Sequence, residues 1–299
     1  MIVPSPYDDL LAPIPVQKHT VSVLGSATRY WEYGDPQSPT TIVAVHGFRG
    51  DHHGLEPVVA QLSGFRIISP DLPGFGESES LIGAIHDISG YRRWLTEFVT
   101  AIAPTGRFVI LGHSFGSIVV SAAMAGGLRA DDVVLVNPIA APALSGPRGI
   151  LTRLAVFYYW AGAKLPERLG FALLRSRVIV RVMSLTMVKT KDPELRRWIH
   201  NQHDRYFSAF SDRRVVLEAF QASVGNDVSE FAAAIPERTL LIAAEKDDIT
   251  TVAAQRRLQK LFPDAELQVI PDVGHLIHYE MPATAAAHLQ SFLDEEKSA

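Results

Sequence analysis

The chain begins with four prolines in its first fifteen residues, at positions 4, 6, 13 and 15, which predict an extended arm. Two strand-like runs follow, at 16–24 and 27–33, with Gly25-Ser26 between them as turn chemistry, so an opening hairpin is expected. The pattern then changes. Residues 41–45, 65–69, 107–111 and 132–136 are continuous apolar runs, and they end at His46-Gly47, Pro70-Asp71, Gly112 and Asn137-Pro138. Runs without polar alternation are what a parallel sheet covered on both faces requires. Helix-like segments at 55–62, 90–102 and 115–125 separate them. Strand and helix therefore alternate, and the expected fold class is α/β with a doubly wound, mostly parallel sheet.

The alternation stops after Asn137. From about 139 to 227 no comparable strand run occurs, and aromatic, Leu and Arg residues dominate. It resumes with a strand at 239–244, a helix at 251–261, a strand at 266–270 and a last helix near 283–294. The chain thus reads as one α/β core in two parts, 1–138 and 228–299, interrupted by a helical insertion over 139–227.

Composition narrows the chemistry. With 299 residues, 47% hydrophobic and 20% charged, the chain has ordinary globular composition and length for a large undivided core. The net charge of −4 supplies no field for nucleic acid. Cysteine is absent, which excludes disulfides, thiolate metal sites and a cysteine nucleophile, and which fits a reducing cytoplasm. The N-terminus lacks a basic region followed by an apolar one, so no signal peptide is expected. The apolar stretch at 154–163 has half of the ~20 residues a spanning helix needs.

Gly112-His113-Ser114-Phe115-Gly116 matches G-x-S-x-G. The bare pattern is weak, but here a strand run precedes it and a small-residue helix follows. A Ser at the tip of a sharp strand-to-helix turn projects its hydroxyl above the sheet, and the crowded backbone demands small neighbours. Such a Ser needs a base, and the base needs a carboxylate. His275 stands directly after the last strand run, on the rim where the nucleophile lies, with His278 as its nearest rival. Glu245-Lys246-Asp247-Asp248 follows the strand at 239–244. Asp247 is the expected acid, because Asp248 is better placed to cap the helix that begins near Thr250. His52 and His53 lack a third ligand at metal-binding spacing and read as solvated loop residues.

Four motifs together resemble the α/β-hydrolase fold superfamily across nearly the whole chain: His46-Gly47-Phe48, the segment 71–78 (DLPGFGES), the segment around Ser114, and Gly274-His275 after Asp247. The order Ser, Asp, His is the one this superfamily uses. The resemblance is to serine esterases and lipases with a helical cap. It implies that the backbone N–H groups of Phe48 and Phe115 form the oxyanion hole, that His46 and the 71–78 loop are structural, and that the insertion covers the site. Related dehalogenases and epoxide hydrolases carry Asp where this chain has Ser114. The ring-cleavage C–C hydrolases usually show Asn and Trp where this chain has His113 and Leu276.

The expectation is a carboxylic ester hydrolase for a fairly apolar small-molecule substrate, needing no cofactor and no metal. Two rivals remain open: C–C hydrolysis of a vinylogous diketone on the same triad, and a non-catalytic ligand-binding homologue. The insertion adds one more question. Between 148 and 191 nine basic residues (Arg148, Arg153, Lys164, Arg168, Arg175, Arg177, Arg181, Lys189, Lys191) face one acidic residue, Glu167, among many aromatic and Leu residues. Such a segment is either a lid with its Arg residues in water, or a surface that touches anionic lipid or an acidic partner.

Overall fold

A computed structural model describes residues 3–141, 149–210 and 212–295. Arg148 lies outside the described residues. The strands are β1 (Val16–Val23), β2 (Ser26–Tyr33), β3 (Thr40–Val45), β4 (Arg66–Pro70), β5 (Arg107–His113), β6 (Asp132–Val136), β7 (Arg238–Ala244) and β8 (Ala265–Ile270). They form one sheet in the order β1-β2-β4-β3-β5-β6-β7-β8. The first two are antiparallel to each other, and β2 is antiparallel to β4. All later neighbours pair in parallel. The sheet is thus the mostly parallel one that the apolar runs predict.

Alternate residues of each central strand serve opposite faces. Val43 and Val45 of β3, Ile110 of β5 and Leu135 of β6 enter one apolar layer. Ile42 and Ala44, Val109 and Leu111, and Val134 and Val136 enter the other. Both faces are therefore dry, which explains runs without polar alternation.

The helices are α1 (Asp8–Leu11), α2 (Glu56–Val59), α3 (Ile88–Ile102), α4 (Phe115–Ala125), α5 (Gly149–Lys164), α6 (Glu167–Leu174), α7 (Arg177–Met187), α8 (Pro193–Tyr206), α9 (Arg213–Gly225), α10 (Val252–Gln259), α11 (Ile277–Glu280) and α12 (Pro282–Glu295). The first layer is closed by α3, α4 and α10, the second by α2 and α12. Five helices, α5 to α9, lie between β6 and β7, where the strand rhythm lapses. Among the described residues no helix is long and apolar enough to cross a membrane.

The structure departs from the expectations in four places. The proline-rich start is not simply extended. It turns into α1 and is anchored where the Tyr7 hydroxyl donates to the backbone oxygen of Tyr279 at 2.6 Å. The hairpin turns at Leu24 and Gly25, both with positive φ (50° and 81°), rather than at Gly25-Ser26. Two positive φ values suit the right-handed twist of the flanking strands. The helix expected over 55–62 shrinks to a 3-10 turn, His52–Gly54, and a single α-turn. Finally, α11 intervenes before the last helix, in a stretch to which the sequence pattern assigns no element.

Candidate active site

Ser114 sits between β5 and α4 with φ 53° and ψ −118°. A non-glycine residue there is strained, and the strain persists only because the surroundings over-determine it. They do so by crowding. A Cβ on Gly112 would lie 2.6 Å from the Gly116 carbonyl oxygen, and one on Gly116 would lie 2.3 Å from that of Val45. Both glycines of the motif are thus required by the packing of β5, α4 and β3. The Ser114 amide donates to the Val136 carbonyl at 3.0 Å, which pins the turn to the end of β6.

The three residues named from the sequence converge. His275 Nε2 lies 2.7 Å from Ser114 Oγ, and His275 Nδ1 lies 2.8 Å from Asp247 Oδ2. The partners come from the C-terminal ends of β5, β7 and β8, one rim of one sheet. The Asp247 carboxylate is itself held: Oδ1 accepts from the amides of Ile249 at 2.7 Å and Thr250 at 3.3 Å. Burial acts to raise its pKa, but the neighbouring His275 and these donors outweigh it and keep the carboxyl below its usual range. Asp248 does not cap the following helix. Thr251 does, accepting from the Ala254 amide, while Asp248 reaches outward to Lys189 Nζ at 2.5 Å.

Two further histidines flank His275. His113 packs 5.6 Å from it, and His278 packs 4.2 Å from His113, ring centre to ring centre. Burial, then the proximity of His275, pushes His113 down to about 3. Burial, then His113, holds His278 well below the ordinary imidazole value. Both rings stay neutral, and His278 makes no contact with Ser114 Oγ that would let it rival His275.

Phe48 follows His46-Gly47 and Phe115 is the first residue of α4, so its amide has no helical acceptor. Among the described residues neither amide donates a hydrogen bond. His46 is tied into the scaffold: its Nε2 accepts from the Leu72 amide at 2.9 Å. Asp71 is fully buried and accepts from the amide and Nδ1 of His52 and from the Glu77 amide. His52 is therefore not solvated as the sequence predicts. It is buried and stacks on Trp31, while His53 stacks on Tyr206 and pairs with Asp51. Asp51 does bring a carboxylate within 4.8 Å of both histidines. The His52 and His53 rings overlap at 3.9 Å with a 37° tilt, and each Nδ1 is already bonded to a carboxylate.

Two residues escaped the sequence reading. Asn137, with φ 45°, ends β6 and bonds the Ala244 amide through Oδ1 and the His275 carbonyl through Nδ2. It ties the loop that carries Asp247 to the loop that carries His275, and the Asn-Pro step after a strand was the available signal. Arg49, next to Phe48, has φ 59° and is 1% exposed. Among the described residues no carboxylate pairs with it. Its Nε donates to the Phe207 carbonyl at 2.8 Å and its Nη2 to the Leu174 carbonyl at 2.9 Å. Those are the C-terminal ends of α8 and α6, where helix dipoles favour a cation. The rings of Tyr159, Phe207 and Phe210 surround the guanidinium.

The helices between β6 and β7 also border the site directly. Tyr159 of α5 and Phe220 of α9 pack on the Phe48 ring at 5.5 and 5.7 Å, and Phe75 and Phe115 complete an aromatic wall. The segment after α7 lies against the base loop, since a Cβ on Gly274 would meet Lys189 Cγ at 2.6 Å. A separate apolar cavity, lined by Ala44, Leu55, Leu111, Val136 and His278, lies in the α2 layer and does not include Ser114.

Comparison with known proteins shows the family. The sequence model of the alpha/beta hydrolase family matches residues 42–288. Lipase 1 of Psychrobacter immobilis is 24% identical over 267 residues, 84% of this chain and 76% of its own length. A hydrolase of Bacillus subtilis described as uncharacterized is 24% identical, over 93% of this chain and 98% of its own. Among solved structures, a thermophilic esterase from Thermogutta terrifontis superposes with a TM-score of 0.72 at 21% identity, covering 93% of this chain and 98% of the esterase. At that identity the superposition speaks for the fold.

Proposed function

The chain belongs to the alpha/beta hydrolase family, and we propose that it is a serine hydrolase of carboxylic esters with an apolar acyl or alcohol part. The observation that carries this reading is the unbroken hydrogen-bonded line from Ser114 through His275 to Asp247. Ser114 Oγ attacks the ester carbonyl carbon while His275 Nε2 takes its proton. Asp247 fixes the imidazole tautomer and stabilises the imidazolium. The amides of Phe48 and Phe115 hold the developing oxyanion. The imidazolium then protonates the departing alcohol, leaving an acyl group on Ser114. Water, deprotonated by His275, attacks that acyl carbon and restores the free hydroxyl.

Helices α5 to α9 act in this reading as a cap. The aromatic wall they share with Phe48 supports the apolar preference. A series of p-nitrophenyl esters from acetate to laurate is the test. Turnover that rises towards medium chains, and that falls by roughly 10⁶ in Ser114→Ala, is expected. No ester turnover by a folded protein, or turnover only of a vinylogous diketone, would contradict the assignment.

A further inference from the structure

Three consecutive helices of the insertion show apolar stripes to the outside. Among the described side chains of α5 the exposed positions are Arg153, Leu154, Phe157, Trp160 and Lys164, spaced to lie on one helix face. Phe157 and Trp160 stack on one another there, and Phe157 is 62% exposed. The opposite face of α5 is committed to the interior: Tyr159 is buried, and a Cβ on Gly162 would meet Leu174 Cγ at 2.5 Å. The helix is therefore apolar on both sides, where a surface helix has one polar face. Leu165 and Leu169 repeat the outward pattern across the start of α6. Val178, Val182 and Leu185 repeat it on α7 at i, i+4 and i+7, with Val178 74% exposed.

Charge accompanies the stripes. Arg153 and Lys164 share the outer face of α5, Arg168 adjoins Leu169, and Arg177 adjoins Val178. Among the described residues none of these four cations is paired with a carboxylate. The chain as a whole is net negative, so the basic excess is local.

We propose that helices α5 to α7 form a face that docks on an anionic lipid bilayer. Leu, Phe and Trp on the apolar face with Lys and Arg along its margins is the composition of a helix that lies in the headgroup region. The long basic stems can cover apolar surface while their heads reach lipid phosphates. A second copy of this chain is a poorer occupant, because the same cations would face one another across the contact. The face lies next to the site, since Tyr159 of α5 touches the Phe48 ring from within. Docking therefore sets the cap side of the site against the bilayer, and the substrate becomes an apolar ester dissolved in the membrane. That last step rests on the ester-hydrolase reading above, whereas the docking surface does not.

The test is flotation of the full chain with phosphatidylcholine vesicles and with vesicles that also contain phosphatidylglycerol. Binding is expected on the anionic vesicles at low salt. Each basic residue near the surface is worth about five-fold in affinity. Raising the salt to about 1 M shortens the screening length to about 3 Å and releases the protein. Phe157→Ser/Trp160→Ser and Lys164→Glu/Arg168→Glu should each weaken vesicle binding at least ten-fold while turnover of p-nitrophenyl butyrate in solution stays unchanged. No binding at low salt, equal binding to both vesicle types, or variants that bind like the parent would overturn the proposal. So would a dimer that Phe157→Ser/Trp160→Ser dissociates in the absence of vesicle binding. Loss of butyrate turnover in the parent with vesicle binding intact would strike the ester reading and leave the surface standing.

Discussion

Around Ser114 the chain is held mostly by its own backbone, whereas the helices between β6 and β7 are held mostly by side chains that reach across, with a backbone bridge at Phe75 and Phe210. The turn at Ser114 is fixed by an amide on Val136, by two glycines with no room for a methyl group, and by loops that Asn137 staples together. The insertion meets the core through Arg49 on two helix ends, an aromatic contact at Phe48, and the Gly76 amide on the Ala209 carbonyl. Backbone ties hold reacting atoms within tenths of an ångström, which the chemistry needs. Side-chain ties hold a body in place but let it open locally at lower cost. On the proposed reading, a site that admits an apolar ester uses both.

The acid loop offers the largest effect. Asp247→Asn should lower kcat by roughly 10⁴, because the amide supports the wrong imidazole tautomer. Asp248→Asn, which removes the ion pair with Lys189, should leave kcat nearly unchanged. The opposite ranking in steady-state kinetics would reverse the assignment. The Asp247 carboxyl is held below its ordinary value, so its contribution to stability is present above about pH 3.8 and disappears as the pH falls further.

Arg49 tests the other half of the comparison. Arg49→Met removes the guanidinium donors of the Leu174 and Phe207 carbonyls, of which Leu174 keeps the Tyr158 hydroxyl at 3.3 Å. A buried acceptor left without a donor costs on the order of 1–3 kcal/mol. Hydrogen exchange should accelerate in α6 and α8 while the amides of β5 to β7 keep their protection. Uniform loss of protection would show that the helices and the sheet open as one unit.

A smaller effect belongs to His53. Burial works to lower its pKa, but its bond to Asp51 wins and raises it. Its contribution is complete below pH 6.5, the ordinary imidazole value, and is lost as the pH rises through the raised one. In urea unfolding, His53→Gln should cost a few tenths of a kcal/mol more near pH 6 than near pH 9. An equal cost at both would mean that only the ring stack on Tyr206 matters.

The sheet and the candidate site were legible for one physical reason: both are made from local runs. A buried parallel strand needs consecutive apolar residues, and a nucleophile turn needs glycines at fixed offsets, so 107–116 declares itself. Asp247 and His275 could be placed because each follows such a run. Arg49 could not, because its partners are carbonyls more than a hundred residues away that any sequence would supply. His52 failed for the same reason, since its burial depends on Trp31 of β2 and on Asp71 just after β4. The outward apolar stripes of α5 to α7 were visible only as composition. Which face of a helix is buried is decided by what packs against it.

The central claim is that Ser114 is the nucleophile. Its most direct test is reaction with a fluorophosphonate followed by peptide mass mapping. The adduct should form at one site, on the peptide carrying Ser114, with ester turnover lost in proportion to labelling and with no adduct in folded Ser114→Ala. An adduct on another residue, or full turnover by protein labelled to completion at Ser114, would contradict the account.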